Sequence, residues 1–169
     1  MSHDTARPTA AEIELGTPVA FAHLDPDDVL QLAAYGSPPG EQNVVERALI
    51  VDASLRGSGF RPQEVDEFRP PTDARPWSET VLTVDGTRYV IARGDPRALV
   101  EQLVRPERST HARAIAESAR LTLGAFRPLG VAYRKGESDW MLAGLIPVRG
   151  WTRPGRKSGG RPFDYHTVW

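Results

Sequence analysis

No arrangement of side chains in this sequence is set up to make or break a covalent bond unaided. The four histidines, His3, His23, His111 and His166, do not fall at metal-ligand spacing. There is no P-loop and no Gly-x-Ser-x-Gly. The adjacent carboxylates Asp27 and Asp28 sit where a helix would begin, and the helix dipole accounts for them. What remains is binding chemistry. Arg93-Gly94-Asp95-Pro96 places a cation and a small residue at the end of a β-rich run, directly before a helix start. Its Arg-Gly-Asp triplet is an integrin-type signal only on an extracellular protein, and nothing else in the chain reads that way. A second cation, Arg127, opens another β-rich run.

The elements that must position these residues are legible in outline. Residues 13–21 show a weak extended pattern, Ile13, Leu15, Val19 and Phe21, interrupted by Gly16. Asp25 as N-cap and Pro26 at the first helical position start a helix that ends near Gly36. After Ser37-Pro38-Pro39-Gly40 a second helix is predicted over residues 41–55, stopped by Gly57 and Gly59. Residues 65–68 read as a strand, and the prolines of residues 69–76 exclude regular structure. Residues 79–84 and 87–92, joined through Asp85-Gly86, form the clearest hairpin signal. Asp95-Pro96 starts a third helix to about Val104, and a fourth covers residues 109–123 before Gly124. Residues 129–133 and 140–146 make a second hairpin, turning at Lys135-Gly136-Glu137. Both hairpins are expected in one sheet, with Val81, Val90, Leu129, Val131 and Leu142 in a common apolar layer. The fold class is therefore α+β: a twisted antiparallel sheet flanked by helix pairs.

The 169 residues suit one domain with flexible ends: residues 1–12, a folded unit over 13–148, and a Gly/Pro-rich tail over 149–169. The tail interleaves arginines with Trp151, Phe163, Tyr165 and Trp169, a composition suited to single-stranded nucleic acid. A formal net charge of −1 over the whole chain argues against nucleic acid as the partner. Cysteine is absent, no apolar run approaches the ~20 residues of a membrane span, and the first residues have no apolar signal-peptide core. Those observations point to the cytoplasm.

Four segments, in this order, resemble the nucleotide-binding (N) domain of P-type ATPases, most of all the plasma-membrane proton-pump type. The first is the Asp25–Ala34 helix start followed by Glu46-Arg47-Ala48-Leu49. The second is Phe68-Arg69-Pro70 with Glu79 downstream. The third is Tyr89-Val-Ile-Ala-Arg-Gly-Asp-Pro96, similar to a strand ending in Lys-Gly-Ala-Pro. The fourth is Phe126-Arg-Pro-Leu-Gly-Val-Ala132, similar to Phe-Arg-Ala-Leu-Gly-Val-Ala. The sequence departs from the family elsewhere. The phosphorylated Asp of Asp-Lys-Thr-Gly-Thr has no counterpart beyond His3-Asp4-Thr5. The Asp-Pro-Pro-Arg hinge is replaced from Arg149. Pro71 and Pro76 stand where the family has a stacking Phe and a nucleotide-binding Lys.

The resemblance implies a nucleotide site built from Glu46, Phe68, Trp77, Arg93, Gly94 and Arg127, converging within about 15 Å on one sheet face. Arg127 would reach phosphate, Arg93 would stand for the family Lys, and Glu46 would accept from adenine or ribose. Trp77 and Arg75 would replace the lost ring and cation. The implied ligand is ATP, bound weakly, with Mg2+ as its usual companion. The implied partner is a phosphorylation domain or a pump. The chain alone is expected to be non-catalytic and not a pump. The alternative is a degenerate N-domain serving as a protein-interaction or regulatory module without nucleotide.

Overall fold

The computed structural model describes residues 13–40, 42–56 and 60–150. Among the described residues, seven strands form one antiparallel sheet: β1 (Ile13–Leu15), β2 (Val19–Ala20), β3 (Val65–Arg69), β4 (Trp77–Val84), β5 (Thr87–Gly94), β6 (Arg127–Lys135) and β7 (Met141–Gly150). The order is β1-β7-β6-β5-β4-β3, with β2 also pairing β7. The expected hairpins β4–β5 and β6–β7 are both present, and β5 pairs β6, so they are continuous. Asp85 and Gly86 both take positive φ, 50° and 79°, the backbone a tight two-residue hairpin needs.

Helix α1 (Pro26–Tyr35) has the expected start. Asp25 and Asp28 bond reciprocally to each other's backbone N–H, forming a capping box. Helix α2 spans Val44–Leu55 and begins three residues later than residue 41. The reason is a second capping box, Asn43 with Glu46, which fixes the first turn. Gly57 and Gly59, the expected stops, lie outside the described residues, and the last described cap is Arg56. Helix α3 (Pro96–Ala98) runs on as a π-helical turn, Leu99–Val104, closed by Arg105 N donating to Val100 O. Helix α4 spans Arg108–Leu123. Among the described residues, no helix is long and apolar enough to cross a membrane.

The sheet separates two apolar layers, because side chains alternate along each strand. On one face Leu82, Ile91, Leu129, Val131, Ile146 and Val148 pack against α1 and α2. On the other, Ala92, Ala132, Leu142 and Leu145 pack against α3, its π-helical extension and α4. The expected single layer is thereby corrected. Leu129 and Val131 belong to the α1/α2 face and Leu142 to the other cluster. Val81 and Val90, paired directly across β4 and β5, alternate onto the face of Ala92, opposite Leu82 and Ile91. Strand β7 continues through Arg149 and Gly150, which pair with Glu14 and Ile13.

Candidate functional site

At one end of the α1/α2 face the apolar layer becomes polar. Strand β5 delivers Arg93, and its direct partner on β4 is Ser78. Arg93 is 4 % exposed, although an arginine is rarely buried without partners. Its Nη1 donates to Ala33 O at 3.1 Å, near the end of α1, and its Nη2 donates to Glu46 Oε1 at 3.2 Å. The other carboxylate oxygen of Glu46 accepts from Asn43 N at 2.9 Å, so Glu46 both caps α2 and holds Arg93. Thr80, two residues along β4, donates its hydroxyl to Gly36 O at 2.8 Å. Burial pulls the Arg93 pKa down, and the Glu46 charge opposes that shift. Among the described residues, Arg93 Nε and Ser78 Oγ are buried and lack hydrogen-bond partners. Such groups are costly unless water or a ligand completes them.

The opposite side of β4 carries a second polar group. Trp77 is buried and donates Nε1 to Glu79 Oε1 at 3.1 Å. Arg69 Nη1 donates to Glu79 Oε2 at 3.2 Å, and Arg75 Nη1 lies 3.9 Å from the same oxygen. Arg75 also donates Nη2 to Pro70 O at 2.9 Å. These contacts tie down the proline-rich segment between β3 and β4.

Of the six site residues expected from sequence, the structure brings Glu46 and Arg93 into direct contact. Trp77 cannot join them. It begins β4 one residue before Ser78 and so points to the opposite face, with its indole donor spent on Glu79. Arg75, expected beside it as a substitute cation, is committed to Pro70 and Glu79. Gly94 is required by packing: a Cβ there would lie 2.5 Å from Pro76 O and 2.7 Å from Trp77 Cβ. Phe68 on edge strand β3 pairs with Thr80, and Arg127 opens β6 four residues before Val131, the partner of Arg93. Both alternate onto the Arg93 face. Strand spacing and rise put Arg127 about 13 Å from Arg93, and Phe68 on the order of 25 Å from Arg127. One pocket of the expected size therefore does not hold all of them. Ser78, Thr80 and Asn43 were missed. Small polar residues in a β-run carry no distinctive signal, but the Asn-x-x-Glu spacing of the α2 cap was readable. Among the described residues no cluster of His, Asp or Glu could hold a metal ion.

No protein-family model and no curated protein matches the sequence. Solved structures do match. A zinc-transporting PIB-type ATPase aligns at TM-score 0.52 and 15 % identity, over 86 % of this chain and 20 % of that one. A second structure of a zinc-transporting PIB-type ATPase, in a different state, gives 0.51 at 16 % identity, with the same coverage. The isolated N-domain of HMA6, a copper-transporting P-type ATPase, aligns at 0.50 and 15 % identity over 82 % of this chain and 99 % of that one. The chain thus spans about a fifth of the zinc ATPase and nearly the whole of an isolated N-domain. At this identity the likeness establishes the fold: an α+β P-type ATPase N-domain architecture.

Proposed function

We propose that this chain is a P-type-ATPase-like nucleotide-binding module. It presents ATP rather than hydrolysing it. The carrying observation is the buried Arg93 Nε and Ser78 Oγ, unpartnered on directly paired residues at the polar end of the sheet. The N-domain fold supports the reading. Binding is weak for a stated reason: Glu46 and Arg93 already satisfy each other, and a ligand must compete with that pair. Gly94 acts by allowing β5 to close on Trp77, and Arg127, on the same face as Arg93, supplies positive charge for phosphate, with Mg2+ accompanying the nucleotide. Phe68 contributes at the edge and Trp77 through the support it gives from behind the sheet. The module works in the cytoplasm beside a phosphorylation-domain or pump partner. The proton-pump resemblance rests on the sequence motifs, whereas the structural neighbours transport zinc and copper.

A second reading is favoured by the same ion pair. Arg93 and Glu46 are closed on each other and buried, and Pro71 and Pro76 remove the family's ring and cation. A degenerate domain acting as a protein-interaction or regulatory module would look like this. An NMR titration with ATP and ADP at about millimolar nucleotide decides between them. Shifts at Ser78, Gly94 and Arg127 that vanish in Arg127→Ala support the first reading. A folded protein with no response to either nucleotide leaves the second.

A further inference from the structure

We propose that a groove of about 440 Å3 beside α1, at the turn end of the β4–β5 hairpin, is a site for an organic cation: a quaternary ammonium ion with an apolar body. Three tyrosines reach it from three elements, Tyr35 from α1, Tyr89 from β5 and Tyr133 from β6. Tyr89 pairs with Lys135 and Tyr133 with Ile91, so the two strand tyrosines are diagonal neighbours on one face. A methylated ammonium is attracted to the negative faces of aromatic rings, and with no N–H it gives up no hydrogen bond on leaving water. The rings are held in place. Gln31 Nε2 donates to the Tyr35 hydroxyl at 3.5 Å, Phe60 packs on Tyr35 with ring centroids 4.9 Å apart, and the Tyr133 hydroxyl lies 3.9 Å from Met141 Sδ. The Asp28 carboxylate stands at the same wall, with its Oδ2 fixed by Asp25 N at 3.0 Å. Leu24, Leu82 and Val84 supply apolar surface for the body of the ligand.

Charge decides between a cation and an anion here. Burial raises the Tyr133 phenol pKa, and Tyr89 and the Asp28 carboxylate raise it further. Those two contributions mark a negative field over the groove, which favours a cation and disfavours a phosphorylated ligand. Lys135 brings an opposing charge to the lining, but it is exposed and its long stem lets the ammonium stay in water. The groove lies at the far end of the α1/α2 face from the groups assigned to phosphate. Lys135 is eight residues along β6 from Arg127, about 26 Å, and Tyr89 is four residues along β5 from Arg93, about 13 Å.

The test is a 15N-edited NMR titration of the full chain with choline, phenyltrimethylammonium and the uncharged tert-butyl isostere of choline, each to about 10 mM. Both cations are expected to shift the backbone amides of Asp28, Tyr35, Tyr89 and Tyr133, and the isostere to bind about fivefold more weakly than choline. Tyr133→Leu should weaken phenyltrimethylammonium about tenfold, whereas Tyr133→Phe, which keeps the ring, should stay within about twofold of the parent chain. Lys135→Gln removes a like charge and should tighten the cation about twofold. Unchanged circular dichroism checks the fold of each variant. Silence from both cations overturns the proposal. So does equal affinity for the isostere, which would make the groove an apolar cleft only, and so does a Tyr133→Leu chain that binds as well as Tyr133→Phe. Weaker cation binding by Lys135→Gln overturns it too. Shifts confined to Ser78, Gly94 and Arg127 overturn it while leaving the nucleotide module standing.

Discussion

Arg93 Nη2 donates to Glu46 Oε1 at 3.2 Å, joining the end of β5 to the first turn of α2 across 47 positions of sequence. Both partners are buried. The contact fixes how the α1/α2 pair sits on the sheet, and it occupies two of the six residues that the family resemblance assigns to a ligand.

Breaking that pair from one side should be costly. Glu46→Ala leaves the Arg93 guanidinium buried opposite no carboxylate, and a loss of about 3–5 kcal/mol in urea unfolding is expected. The double variant Arg93→Met with Glu46→Leu removes both charges at similar volume and should recover most of it. Equal losses in the single and double variants would contradict a coupled pair.

Gly94→Ala should destabilise by about 1–3 kcal/mol, because the new methyl meets Pro76 O and Trp77 in a packed layer. The urea midpoint should fall with the m-value unchanged. A variant that loses nucleotide response only in proportion to this loss of folded protein would show that Gly94 makes no ligand contact.

Tyr133 gives the chain an alkaline sensitivity. Burial raises its phenol pKa, and the neighbouring Tyr89 and Asp28 add to the shift. The folded state holds this proton more tightly than the unfolded chain does. Stability is therefore undiminished below the ordinary phenol range and falls as pH rises through it toward the folded value. Urea midpoints measured from neutral to alkaline pH should decline less steeply in Tyr133→Phe. Identical slopes would remove Tyr133 as the cause.

The boundary at the end of β7 can be located by truncation. A chain ending at Gly150 should unfold at the same urea concentration as the full chain. One ending at Val148 loses the bond from Arg149 Nη2 to Gly124 O at 2.8 Å and the guanidinium stacked 3.9 Å over Phe126. It also loses two β1 pairs, and should be less stable by about 1–2 kcal/mol. Nucleic-acid binding by the basic segment, if observed with the full chain, should disappear in the chain ending at Gly150 and fall steeply with salt before that.

The sequence by itself determined the elements whose cause is local. Asp25-Pro26 starts α1 by satisfying free N–H groups within four residues, and Asp85-Gly86 turns β4 into β5 because both positions accept positive φ. The order of such elements was enough to reach the N-domain architecture. Sequence did not decide which face each residue serves. A strand alternates with period two, so moving the reference point by one residue exchanges core for core: Trp77 and Ser78 are adjacent, yet they belong to opposite layers. Only the pairing of β4 with β5, and of β5 with β6, separates Val81 and Val90 from Leu129 and Val131. Only the packing of α2 onto the sheet turns Glu46 and Arg93 from two candidate ligand groups into partners of each other. That choice depends on contacts between residues far apart in the chain, and it is made by burial: once α2 covers Arg93, the cation needs an anion within reach, and Glu46 is the one the capped first turn of the helix holds there.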